Sequence, residues 1–246
     1  MSKFGENILI TGANRGIGLA LIQQLVQTDG IKHLFACCRN PDGAKDLIEL
    51  QKTHTNVIPI KLDVQDDQTI QQAYEQVTNI LGTDSLNLLI NNAGVNEEDG
   101  GSCDNPDRTA FQKSFDINSN GVVMVTAKFL PFVQKAADHK QRAMVANVSS
   151  EIGSSGRAYK CDFNNVCYGM SKAALNYYTK MLSEYFKDSG IIFVAFSPGW
   201  VRTDMGGPDA NLSPEESTSA VLKTLAGLTI EDSGRYMNRY GETVPY

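Results

Sequence analysis

The chain has 246 residues, 41% of them hydrophobic, and a formal net charge of −6. That length suits one large α/β domain, able to bury a full core without disulfide or metal staples. The negative balance argues against nucleic acid or an anionic membrane surface as the main partner, because both require a basic patch.

Strand and helix patterns then alternate along the chain. Ile8 to Thr11 is a short apolar run, followed by Gly12, Gly16 and Gly18. Ile17, Leu21, Ile22, Leu25 and Val26 recur at helical spacing until Asp29-Gly30. Leu34 to Cys38 reads as a second strand. Pro41 suits the first turn of a helix whose apolar face is Ala44, Leu47, Ile48 and Leu50. Val57 to Leu62 is a third strand, and Asp66 or Asp67 caps the helix after it. Leu86 to Ile90 is a fourth strand, and residues 95–107 read as a polar loop. Ala110 to Ala137 is mostly helical, with an interruption expected near Asn118–Gly121. Ala143 to Val148, a loop through Tyr159 and Asn164, a helix from Tyr168 to Phe186, and Ile191 to Phe196 follow. Ser213 with Pro214 opens a last helix, and residues 234–238 form a short final strand.

Such alternation predicts a single doubly wound (Rossmann) domain over 1–246, with a parallel sheet of about seven strands and helices on both faces. No signal-peptide core is present, and no apolar run approaches the ~20 residues of a membrane span. Cys37, Cys38, Cys103, Cys161 and Cys167 are odd in number and lack C-x-x-C spacing. His33, His54 and His139 are scattered, so no metal site is expected. A cytoplasmic protein with free thiols is the expectation.

Ligands in such sheets bind at the carboxyl ends of the strands, so the residues there carry the argument. Gly12 permits a tight turn, Gly16 lets backbone N–H groups approach a phosphate, and Gly18 lets helix and strand lie close. The helix N-terminus adds a partial positive charge. Together they describe a dinucleotide cradle. After the second strand comes Arg39 with no acidic residue, and Arg15 lies in the glycine turn. Two cations at these places favour a 2′-phosphate, and hence NADP(H), over NAD. Asp63-Val64 at the third strand's end suits an adenine ring, and Asn91-Asn92-Ala93-Gly94 at the fourth lets a cofactor approach. Ser149-Ser150 ends the fifth. Tyr168 and Lys172 share a helix face. A lysine ammonium beside a phenol would lower its pKa from ~10 toward the range of general acid/base work. Taken singly, these features also read as a Gly-rich turn, an Asn-rich turn, a Ser cap and a chance Tyr/Lys pair. Their order along the chain is what single explanations do not supply.

That order closely resembles the short-chain dehydrogenase/reductase family, over Ile8 to about Met205. The motifs are Thr11-Gly12-Ala13-Asn14-Arg15-Gly16-Ile17-Gly18, Asn91-Asn92-Ala93-Gly94, Asn118, Ser150, Tyr168 with Lys172, and Ser197-Pro198-Gly199-Trp200-Val201-Arg202-Thr203-Asp204. Pro198 to Gly207 and the compact C-terminus look most like the sniffer-type carbonyl reductases. The resemblance implies hydride transfer from NADP(H) to an aldehyde, ketone or quinone. It makes Tyr168 the general acid, Lys172 its electrostatic support, Ser150 the carbonyl-orienting hydroxyl, and Asn118 the support of a water chain to Lys172. It places Gly12, Asn14, Arg15, Gly16, Ile17, Gly18, Arg39, Asp63, Val64, Asn91, Ala93 and Gly94 around the cofactor. Tyr168, Lys172, Pro198, Gly199, Val201 and Thr203 complete that set, the last two at the carboxamide. A homodimer or homotetramer through the two long helices is also implied. Ser150 and Tyr168 are 18 positions apart, longer than the family's usual gap. The extra residues, 154–165, suggest an insertion over the substrate pocket, and leave Ser149 as a rival to Ser150.

For the substrate wall the candidates are Ile152, Tyr159, Phe163, Trp200 and Met205, with a loop at about 205–215 able to act as a lid. A non-catalytic dinucleotide-binding regulatory protein would use the same fold. A nucleotide-sugar epimerase shares Tyr-x-x-x-Lys, but generally needs more chain after Met205 than is present here.

Overall fold

A computed structural model describes residues 2–97, 99–160 and 165–246, with only the backbone of 158–160. Seven strands form one all-parallel sheet in the order β3-β2-β1-β4-β5-β6-β7. They are β1 (Asn7–Thr11), β2 (His33–Cys38), β3 (Val57–Lys61), β4 (Leu88–Asn91), β5 (Met144–Val148), β6 (Ile192–Ser197) and β7 (Tyr236–Asn238). The helices between them are α1 (Gly16–Leu25), α2 (Lys45–Thr53), α3 (Asp67–Leu81), α4 (Arg108–Phe115), α5 (Gly121–Asp138), α6 (Val166–Tyr185) and α7 (Pro214–Gly227).

The strands are apolar throughout because both faces of the sheet are covered. Successive side chains point to opposite faces, so one strand serves two cores. Ile8 and Ile10 pack on one side with Leu21, Ile22 and Leu25 of α1 and Val221, Leu222 and Leu225 of α7. Leu9 packs on the other with Ile70 and Val77 of α3 and Val125 and Phe129 of α5. Each such side chain contributes about 1.5–3 kcal/mol on burial.

The expected doubly wound architecture is present. Local differences have identifiable causes. The helix expected to run on from Pro41 is split: Pro41–Gly43 forms one 3₁₀ turn under the Asn40 cap, and Ala44 leaves the helical region before α2 begins. Asp66, not Asp67, caps α3, accepting from the N–H groups of Gln68 and Thr69. The interruption expected near Asn118–Gly121 is a π turn, Asp116–Asn120, between α4 and α5. Ser213 and Glu216 form a reciprocal capping box on α7. No described helix is long and apolar enough to cross a membrane.

The order reverses between β1 and β4: the chain leaves β1 for β2 and β3, then returns to β4 on the other side. A crevice opens there, above the strands' carboxyl ends. Gly18 is what lets α1 start so close to it. A Cβ at Gly18 would stand 2.2 Å from the Gly12 carbonyl oxygen and 2.6 Å from Asn92 Nδ2. At Gly227, the last residue of α7, nothing lies within 4 Å. Gly18→Ala is expected to lower stability by on the order of 2 kcal/mol, whereas Gly227→Ala is neutral or stabilising by up to about 1 kcal/mol. Thermal denaturation of the two variants compares them, and equal midpoints would refute the close-approach argument.

Candidate active site

The β1–α1 turn is built to receive an anion. Gly12 and Gly16 have φ of 64° and 54°, the left-handed region that glycine enters freely. Arg15 is the N-cap of α1, yet gives no side-chain cap, and the first turn carries no acidic residue. By contrast, α3 and α7 are both capped by side chains. The first N–H groups of α1 are therefore left for a ligand, which fits the pyrophosphate of a dinucleotide. Asn92 clasps the turn: its Nδ2 donates to the Thr11 and Gly12 carbonyls at 2.9 and 3.0 Å, and Thr11 Oγ1 accepts from the N–H groups of Asn92 and Ala93.

Across the crevice stand the polar residues of β5 and α6. Ser149 is 1% exposed, and its hydroxyl donates inward to Asn176 Oδ1 at 2.5 Å. Ser150 is half-buried, its Oγ accepts from the Ile152 N–H at 3.3 Å, and it is close enough to the Tyr168 hydroxyl to lower that phenol's pKa. The pair thus separates into an inward and an outward serine. Lys172 is buried, its Nζ donating to the Val148 carbonyl at 2.8 Å and lying 5.6 Å from the Tyr168 ring centroid. The same Nζ is 3.5 Å from where a Cβ on Gly94 would stand, so a small residue there leaves the lysine access to the crevice. Asn118, in the π turn, is wholly buried. Its amide exchanges 2.8 Å hydrogen bonds with the N–H and C=O of Val95 and donates to Ser171 Oγ at 2.9 Å.

Burial governs the charges. It pushes the Tyr168 phenol up to about 12, against the lowering effect of the Ser150 hydroxyl. It also brings the Lys172 ammonium down to about 8. The expectation of a net lowered Tyr168 pKa is therefore corrected: desolvation of the phenol outweighs any lowering by the Lys172 ammonium, which donates to the Val148 carbonyl. At neutral pH both groups still carry their protons.

Several other predicted residues take unexpected partners. Arg15 pairs with Asp204 at 2.6 Å, both well exposed, while Arg39 is exposed at the end of β2. Asn91 is 2% exposed, its amide donating to Thr126 and Asn147 inside the fold. Any contact it makes with a ligand falls to its backbone. Asp63 is half-buried, and its carboxylate accepts from the N–H of Gln65. Val64 packs against Gly121, where a Cβ would stand 2.8 Å from its carbonyl oxygen. The loop after β6 turns at Gly199, φ 86°, and is fastened at its base by a bridge between Val201 and Leu212. Thr203 lies against Gly16, and Trp200 donates to the Gly206 carbonyl. Trp200 and Met205 are largely exposed, and Ile152 is half-buried. Phe163 and the Tyr159 side chain, the remaining wall candidates, lie outside the described residues, as does Cys161. Ser171, Asn176 and Tyr236 join the site's framework without having been singled out, and Asn92, named only within its motif, proves to be the clasp of the glycine turn. Asn176 follows Lys172 by one helical turn, which was the available signal. Among the described residues no cluster of metal-ligating side chains is present.

Comparison with known proteins bears on this arrangement. A family model described as short chain dehydrogenase matches residues 6–211. An uncharacterized oxidoreductase of Schizosaccharomyces pombe is 32% identical over 263 aligned positions, covering 100% of both chains. The crystal structure of NADPH-bound carbonyl reductase from chicken fatty liver superposes with a TM-score of 0.94 at 35% identity, over 98% of this chain and 99% of that one. Carbonyl reductase Sniffer of D. melanogaster gives 0.93 at 31% identity, over 98% and 100%.

The lysine makes a direct prediction. In the cofactor-free protein Lys172 should titrate near pH 8, well below the ~10.4 of exposed lysines. NMR of labelled lysine side chains, assigned with Lys172→Met, reads the midpoint; a value near 10 would contradict the buried placement.

Proposed function

The chain belongs to the short-chain dehydrogenase family, as an oxidoreductase of carbonyl-reductase type, and from that premise we propose that it reduces an aldehyde, ketone or quinone with NADPH. The observation that carries the reading is the convergence of Ser150, Tyr168 and Lys172 at one wall of the crevice, facing the uncapped start of α1. When bound, the reduced nicotinamide supplies the hydride; the protein orients, polarises and protonates.

The Ser150 hydroxyl holds the substrate carbonyl oxygen beside the Tyr168 hydroxyl. Tyr168 is protonated throughout the working pH range, which suits a general acid in reduction. It gives its proton to the developing alkoxide, and the Lys172 ammonium, still charged at neutral pH, stabilises the phenolate left behind. Asn118 contributes through the backbone of the π turn, since its amide is engaged by Val95 and Ser171. This backbone supports a water chain to Lys172. Ser150 rather than Ser149 takes the carbonyl, because Ser149 is held inward by Asn176.

For the cofactor, Gly12, Asn14, Gly16, Ile17 and Gly18 form the pyrophosphate cradle. Asp63, Val64, Asn91, Ala93 and Gly94 line the adenosine side and floor. Pro198, Gly199, Val201 and Thr203 border the nicotinamide, and Tyr168 and Lys172 reach its ribose. Arg39 and Arg15 favour the 2′-phosphate, Arg39 being the one without a carboxylate partner among the ion pairs of the described residues. The NADPH bound to the chicken enzyme supports this choice. The loop at about 205–215 serves as a substrate lid on a single domain spanning 1–246. Met124, Tyr177, Met181 and Tyr185 are exposed on α5 and α6, which supports a homodimer or homotetramer through those helices. Free thiols at Cys37, Cys38, Cys103 and Cys167 support a cytoplasmic setting.

Tyr168→Phe should bind NADPH with wild-type affinity and reduce a carbonyl panel at least about 100-fold more slowly. Turnover near wild type would remove Tyr168 from the acid role. Arg39→Asp should cost about tenfold or more in NADPH affinity and shift preference toward NADH. Unchanged preference, measured by fluorescence titration with both cofactors, would overturn the phosphate assignment. Light scattering at the mass of a single 26.9 kDa chain would exclude self-association.

A further inference from the structure

Ser150 is fixed from behind by a residue far along the chain. Tyr236, on β7, is wholly buried, and its hydroxyl donates to the Ser150 carbonyl oxygen at 2.5 Å. The same oxygen accepts from the Gly153 N–H at 2.9 Å, so both its lone pairs are used and the peptide plane is locked. Burial pushes the Tyr236 phenol up, so it remains a donor at any working pH. Asn176 holds the Ser149 hydroxyl and donates to the Gly153 carbonyl at 3.2 Å.

Tyr236 is itself braced. The chain folds back from β7, and the Val244 N–H donates to the Tyr236 carbonyl at 2.9 Å. The Tyr246 ring lies 5.7 Å from that of Tyr236, and its hydroxyl donates to the Gly234 carbonyl. Segment 244–246 is tied to the stretch just after Ser150. Ser154 Oγ donates to the Pro245 carbonyl at 2.5 Å, and Ser155 Oγ and the Gly156 N–H donate to that of Tyr246 at 2.8 and 3.1 Å. The ties therefore meet on both sides of the turn that begins at Ser150.

We infer that Tyr236 is a positioning residue, which with its brace at 244–246 fixes the Ser150 peptide and so aims the Ser150 hydroxyl at the substrate carbonyl. This rests on the reading of Ser150 as the carbonyl-orienting hydroxyl. The reason for an effect on rate is geometric. A displacement of about 1 Å in a positioning group can cost about 100-fold, and loss of one of two bonds to a peptide oxygen frees part of that motion.

Tyr236→Phe removes the hydroxyl and keeps the ring. It should lower kcat about tenfold on the carbonyl that the wild type reduces fastest, with NADPH affinity unchanged. In a Ser150→Ala background the same change should alter kcat less than twofold, because no aimed hydroxyl remains. Wild-type kcat in Tyr236→Phe, or an undiminished loss in the Ser150→Ala background, overturns the inference. Wild-type kcat in Ser150→Ala alone instead overturns the reading beneath it. If Tyr236→Phe does not fold, Ser154→Ala combined with Tyr246→Phe loosens the brace alone. A loss of threefold or more in kcat at unchanged NADPH affinity supports the inference there, and a smaller loss overturns it.

Discussion

The clasp of Asn92 on the glycine turn is the constraint on which the other parts depend. Two strands that part company at a switch point leave backbone carbonyls with no ladder partner, and an unpaired buried carbonyl is costly. Asn92 satisfies those of Thr11 and Gly12 with one amide, while Thr11 returns a hydroxyl to two N–H groups. That exchange fixes the width of the crevice. It also accounts for Gly18, since a side chain there would occupy the space of the Asn92 amide. The start of α1 is consequently held at a set distance from β4, with its N–H groups turned to the opening. The wall formed by β5 and α6 faces a cradle that does not have to assemble around its ligand.

That wall is maintained at an energetic cost. Lowering Lys172 from an ordinary lysine value to about 8 amounts to roughly 3 kcal/mol of disfavoured charge below pH 8. The sign follows from proton binding. Between pH 8 and the unfolded value the unfolded chain holds more protons, so stability rises with pH through that interval. At neutral pH the full penalty is present, offset by the Val148 carbonyl and by the two large cores. A buried methionine would avoid this cost but, on the proposed function, would give the Tyr168 phenolate no support. On the proposed function, the fold gives up stability where the reaction uses a charge, as in other sites where local rules yield to function.

The sheet and helices were legible because periodicity reports burial, and burial decides the elements. Ile8-Leu9-Ile10, apolar at every position, already implied a strand covered on both sides. The glycine turn, Ser150, Tyr168 and Lys172 could be named because of their order along the chain, and Asn118 because of the resemblance that order carries. What escaped was set by partners distant in sequence. Nothing near Arg15 announces Asp204, nothing near Asn91 announces Asn147, and the Lys172–Tyr168 spacing does not reveal that the ammonium turns toward Val148. The split at Ala44 and the choice of Asp66 over Asp67 were decided by local cap bonds, which composition does not rank.

The parallel sheet also has a consequence in time. Thr11 and Asn92 are 81 positions apart, and Ser150 and Tyr236 are 86. Every crossover must close a long loop before its strand can dock, and such contacts form late because chain entropy opposes them. During synthesis the cradle at β1 and β4 can close while β7 has yet to emerge. Ser150 then occupies its strand end before Tyr236 arrives to hold it. The glycine turn and its Asn92 clasp can thus be complete before the last strand of the sheet arrives to hold the Ser150 peptide.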